Sequence, residues 1–139
     1  MKIDGVANIV ITHKDGTQDI IKKHNMIVNG GYDFICAAIG NGGVKNMSKI
    51  AVGKGATSTT ATMTALGSKI AEKAATYAHT AGTKVFTLKS EFGVGEATGA
   101  ITEAGVFNAD NVMLDRVTFS VANIDSDDRI TITFQFTLS

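Results

Sequence analysis

"RITITFQFTL", residues Arg129 to Leu138, alternates without a break. Ile130, Ile132, Phe134, Phe136 and Leu138 fall on one side, and Thr131, Thr133, Gln135 and Thr137 on the other. Strand side chains alternate with period two, so this segment reads as a strand with one face in a core and one in water. A helix would scatter the same apolar residues around its circumference.

The alternation recurs upstream. Lys84 to Phe92 (KVFTLKSEF) sets Phe86, Leu88, Ser90 and Phe92 against Val85, Thr87, Lys89 and Glu91. Ile101 to Phe107 and Met113 to Val121 are two more strands, joined by the turn Asn108-Ala109-Asp110-Asn111. Asp125 to Asp128 is the turn before the last strand. Near the N-terminus, Val6 to Thr12 and Gln18 to Val28 flank Asp15-Gly16, a hairpin turn signal. Neither face of Gln18 to Val28 is cleanly apolar, and its lysines mark an edge strand. Met47 to Val52 is a strand that stops at Gly53-Lys54-Gly55. The uncharged stretch ATSTTATMT from Ala56 reads as a loop or extended arm, and Thr64 to Ile70 leads into a strand-like Ala74 to Thr80.

One segment has helical spacing. Tyr32, Ile35, Cys36 and Ile39 fall at i, i+3, i+4 and i+7, a single apolar stripe. Asn29 is the expected cap and Gly40-Asn41-Gly42-Gly43 the stop. The expected fold is mainly β: an antiparallel β-sandwich or jelly-roll-like barrel with one short α-helix near residues 30–40, a single domain over 1–139.

Composition narrows the function. Hydrophobic residues are 44% and charged residues 19% of 139, too apolar for a disordered chain. Thirteen basic and thirteen acidic side chains give a net charge of zero. Phosphate backbones are held by basic surfaces, so nucleic acid is not the expected partner. Cys36 is the only cysteine, which excludes an internal disulfide and a cysteine-based zinc site. MKIDGVANIV lacks the apolar core of a signal peptide, and no run of about 18 apolar residues exists to span a membrane. The expectation is cytosolic synthesis and no membrane partner.

Each group with the chemistry for a site has a plainer reading. His13, His24 and His79 stand near no Gly-x-Ser-x-Gly elbow and read as surface or rim histidines. Asp125, Asp127 and Asp128 lack the glycine and distal glutamate of a calcium loop, so a solvated turn is expected. GKGATSTT does not match the phosphate-loop spacing. Cys36, on an apolar stripe, is expected in the core. No catalytic, cofactor-binding or metal-ligating residue is assigned. Glu103 and Arg116 remain: they lie on the two arms of one hairpin among apolar neighbours, where a lone charge would be very unfavourable. They are read as a structural ion pair that fixes register or faces a neighbouring subunit.

These segments follow one another in a familiar order. They are NMIVNGGYDFICAAIG (Asn25 to Gly40), SKIAVGKGAT (Ser48 to Thr57), TALGSKI (Thr64 to Ile70), ITEAGVFNA (Ile101 to Ala109), MLDRVTF (Met113 to Phe119) and DRITITFQFTL (Asp128 to Leu138). The chain resembles a loose group of tailed-bacteriophage virion proteins that includes head decoration (cement) proteins and modules of tail fibres and baseplates. Glu103, Gly105 and Phe107 match the group's Glu-Ala-Gly-aromatic element and Arg116 its basic partner, all of them scaffold. Val106 departs from a frequent Leu, and Ala71-Glu72-Lys73 stands where the group tends to have Arg. The resemblance implies a non-enzymatic capsid decoration protein on the outer surface of the head, made in the host cytoplasm. Its partners would be the major capsid protein and itself, as a homotrimer. The alternative is a tail-fibre or baseplate component, with receptor binding as one role for it. Ala56, Thr57, Ser58, Thr59 and Thr60 are the candidate shell or subunit contacts, along with the N-terminal hairpin.

Overall fold

A computed structural model describes residues 2–139; Met1, the first residue of the N-terminal stretch read above, lies outside them. The strands are β1 (Ile3–Thr12), β2 (Gln18–His24), β3 (Met26–Ile27), β4 (Met47–Gly53), β5 (Lys69–Ala74), β6 (Thr76–His79), β7 (Val85–Phe92), β8 (Gly99–Asn108), β9 (Met113–Ile124) and β10 (Arg129–Leu138). The helix, α1 (Asn29–Gly40), lies between β3 and β4. The strands form two five-stranded sheets of order β2-β1-β10-β7-β6 and β3-β9-β8-β4-β5, antiparallel throughout. Among the described residues the fold is a β-sandwich with no closed barrel.

The alternating segment takes the central place. β10 lies between β1 and β7, and its Ile130, Ile132, Phe134 and Phe136 are all buried. They face Ile50, Val52, Ala104, Val106 and Val117 of the second sheet, and the two inner faces make one core. β2 is an edge strand, as its lysines imply.

Two runs that look continuous in sequence are split between sheets. The Gln18 to Val28 run is β2 of the first sheet and then β3 of the second, turning at Asn25. The second run is β5 and then β6, turning at Ala75, so the strand begins at Lys69 rather than Ala74. Each corner is held by one backbone bond: Asn25 N–H to Gly5 O at 3.0 Å and Ala75 N–H to Ser48 O at 2.8 Å. At the second corner the Ser90 hydroxyl also donates to Ala74 O at 3.0 Å. That bond explains a buried serine on an apolar face.

The helix stands where expected but is rotated. Val28, not Asn29, is the cap residue; Asn29 begins the helix and its N–H donates to Ala61 O at 2.8 Å. Gly31 is the buried contact, pressed on the Leu114 carbonyl of β9 so closely that a Cβ there would collide with it. Tyr32 and Cys36 face outward, and Ile39 is 84% exposed. The expectation of a core Cys36 is therefore overturned. Apolar residues lie almost all round this helix, so spacing alone does not choose the buried face; the close approach at Gly31 does.

Candidate functional site

Glu103 on β8 and Arg116 on β9 come from the hairpin closed by Asn108 to Val112. The turn is built by Asn108, whose Oδ1 accepts the N–H groups of Asp110 at 3.0 Å and Val112 at 2.9 Å. Asn111 takes the left-handed conformation (φ 62°) that asparagine tolerates better than most residues. In this register Gly105 faces Arg116 and Thr118 faces Glu103, so the ion pair runs diagonally across the ladder. Phe107 and Met113 share that face, and Ala104, Val106 and Val117 point to the main core from the other. The pair therefore lies on the back of the second sheet, away from the first.

It is buried there because the segment 54–68 folds over it. Glu103 is 0% and Arg116 1% exposed, with Arg116 Nε 2.9 Å from Glu103 Oε1. Glu103 Oε1 also accepts Gly67 N–H at 2.8 Å. Its Oε2 accepts Gly55 N–H at 2.6 Å and Ser68 N–H at 2.8 Å. Both ends of the segment are thus tied to one carboxylate. Arg116 Nη1 holds its middle, donating to Thr57 O at 2.8 Å and Thr59 Oγ1 at 3.0 Å. Beside the pair, Met63 and Leu66 pack on a small second cluster of Val28, Ala51, Phe107 and Met113.

Glycines make the approach possible. A Cβ on Gly53 or Gly55 would stand 2.5 Å from Glu103 Oε2. Burial alone would push the Glu103 carboxyl up, but the N–H groups of Ser68, Gly67 and Gly55, with Arg116, outweigh it and hold the group below the ordinary carboxylate range. The stretch read as a loop or arm is a loop bolted down from both ends. Of the candidate contacts, Ala56, Thr57, Ser58 and Thr60 are exposed on its outer side, while Thr59 is half-buried against Arg116.

Asp115, next in sequence to Arg116, has the opposite setting. It pairs with Val106 and so shares its core-facing side. Among the described residues it accepts one bond, from Val106 N–H at 3.1 Å, and its Oδ2 has no partner. Burial pushes its carboxyl well above the usual range.

The acidic turn is not simply solvated. Asp128 is 4% exposed; its Oδ2 accepts Asp125 N–H at 2.9 Å and its Oδ1 meets His13 Nδ1 at 3.0 Å. His79 bonds Val85 O at 2.7 Å, and His24 lies 3.5 Å from Asp4. Glu72, in the departing Ala71-Glu72-Lys73 element, is paired with Lys49 at 2.6 Å and Lys69 at 2.8 Å. Among the described residues no group of three His, Cys, Asp or Glu side chains is placed to hold a metal ion, and no helix is long and apolar enough to cross a membrane.

Sequence reasoning names the ion pair but misses its backbone partners at Gly55, Gly67 and Ser68, and misses Asp115 and the aspartates on His13. The glycine-rich GKG and LGS elements are the only local signal of the first group; Asp115 stands out as an acid inside the apolar run Met113 to Phe119, and the aspartates on His13 leave no signal. No family profile, no curated protein and no solved structure matches this chain.

Proposed function

We propose that this chain is a structural protein of a tailed-phage particle, a decoration protein that sits on the outside of the head and clamps neighbouring capsomers. The observation that carries the reading is how the buried Glu103–Arg116 pair is used. All the bonds of the Glu103 carboxylate go to Arg116 and to the backbone of segment 54–68, so its charge holds a loop in one shape. A surface loop held rigid by a buried pair suits a repeated protein–protein contact, because little conformational entropy is lost on docking. The phage-like order of motifs supports the particle assignment. Many identical copies, each binding only the assembled shell, stabilise that shell by mass action. In this reading the protein turns over no substrate, associates as a trimer, and meets the shell through Ala56 to Thr60.

The test is a retention assay. Purified protein is mixed with empty expanded heads lacking it and, separately, with tails, and each is sedimented. Retention on heads with a raised shell melting temperature is the expected result; retention on tails alone would replace this reading with the tail-fibre or baseplate one. Ser58→Arg with Thr60→Glu, both on the exposed side of the loop, should reduce retention and leave the circular dichroism spectrum unchanged.

A further inference from the structure

His13 joins two elements distant in sequence. Its Nε2 lies 2.7 Å from Asp19 Oδ2 on β2, and its Nδ1 3.0 Å from Asp128 Oδ1 in the turn between β9 and β10. That turn is where the chain passes from the second sheet to the first. A neutral imidazole carries one N–H and can donate to only one carboxylate; its other nitrogen would then set a lone pair against an oxygen. Only the imidazolium donates to both. Asp128 is held ready by its own turn, accepting from Asp125 N–H, while Asp19 sits on the exposed edge strand.

We propose that His13 is a proton-operated latch that fastens the β1–β2 hairpin to the sheet-to-sheet turn at residues 125–128. The charged groups in the two turns and at the strand ends beside it are Asp19 at the start of β2, Lys14 and Asp15 in the hairpin turn, Asp125, Asp127 and Asp128 in the second turn, and Arg129, which pairs with Thr12; Lys22, Lys23 and Asp4 lie farther along β2 and β1. Acids outnumber bases five to two in the nearer set, which favours the protonated ring. The bond to Asp19, and then that to Asp128, raise the His13 value above that of a free imidazole. The latch is therefore fully closed below the ordinary imidazole value and opens as pH rises through the raised one. Opening it loosens the hairpin turn at residues 13–17 from the turn at 125–128, while the β1–β10 and β1–β2 ladders and the Glu103 pair stay in place. The latch stands independently of the virion reading.

The experiment is an imidazole 15N titration of the full chain from pH 5 to 9, with amide protection factors measured at each pH. Three results are expected. The His13 midpoint lies above about 6.5; Asp19→Asn and Asp128→Asn each move it down; and protection falls together in residues 13–17 and 125–128 once the midpoint is passed. Asp19 is largely exposed, so Asp19→Asn folds even if Asp128→Asn does not. In His13→Gln the coupled loss of protection should disappear. A His13 midpoint at or below that of a free imidazole, or protection in the two turns indifferent to its titration, would overturn the latch.

Discussion

Two neighbouring acids on one hairpin show how strongly surroundings govern a carboxyl group. Glu103 has four donors on two oxygens, whereas Asp115 has one. Glu103→Ala would leave Arg116 buried and unpaired, a loss of about 3–5 kcal/mol. It would also orphan the N–H groups of Gly55, Gly67 and Ser68. Adding Arg116→Met should therefore recover only part of the loss in urea denaturation, because the backbone donors stay unmet. The two acids also respond to pH with opposite sign. Glu103, held low, contributes stability that is present above its unfolded value and lost as pH falls through the folded one. Asp115, held high, binds its proton more tightly in the folded state, so its contribution is greatest in acid and declines as pH rises. Asp115→Asn should flatten that decline. Its melting temperature relative to wild type should be higher at pH 8 than at pH 5, and an equal difference at both would contradict the assignment.

Among the elements, the loop at 54–68 and the helix depend on single close approaches. Gly55→Ala puts a methyl group against the Glu103 carboxylate, and overpacking of this kind costs about 1–3 kcal/mol. Proteolysis should then cut within 54–68 while the sheets stay protected; cutting spread evenly over the chain would mean that the loop is not a separate unit. The helix is tested more simply. Cys36 faces solvent on α1, so native protein should react with a thiol reagent about as fast as unfolded protein. Slow labelling would return Cys36 to the interior.

For the whole molecule, the ends of the chain decide whether the first sheet exists. β1 and β10 pair along their full length, and Lys2 and Ser139 exchange backbone bonds of 2.7 and 2.9 Å. β10 also pairs β7, so it is the centre of a five-stranded sheet. Deleting residues 134–139 removes Phe134 and Phe136 from the core and half the ladder on both sides. Such a chain should lack the sheet signal in circular dichroism and fail to unfold cooperatively. A deletion that still melts in one sharp transition would show that the second sheet stands alone.

Local pattern is enough for much of this protein. Alternation in Arg129 to Leu138 implies a strand with one buried face, Asp15-Gly16 a hairpin, and the spacing near Tyr32 a helix, because each is set by neighbours a few residues apart. The Glu103–Arg116 pair is legible for the same reason: a short turn carries both. Tertiary structure decided the rest. Asn25 and Ala75 became corners between sheets, Gly31 chose the helix's buried face, and segment 54–68 closed over the ion pair. His13 found Asp128, 115 positions away. These outcomes depend on which backbones approach closely enough to bond once the two sheets stack, and periodicity along the chain carries no record of that distance.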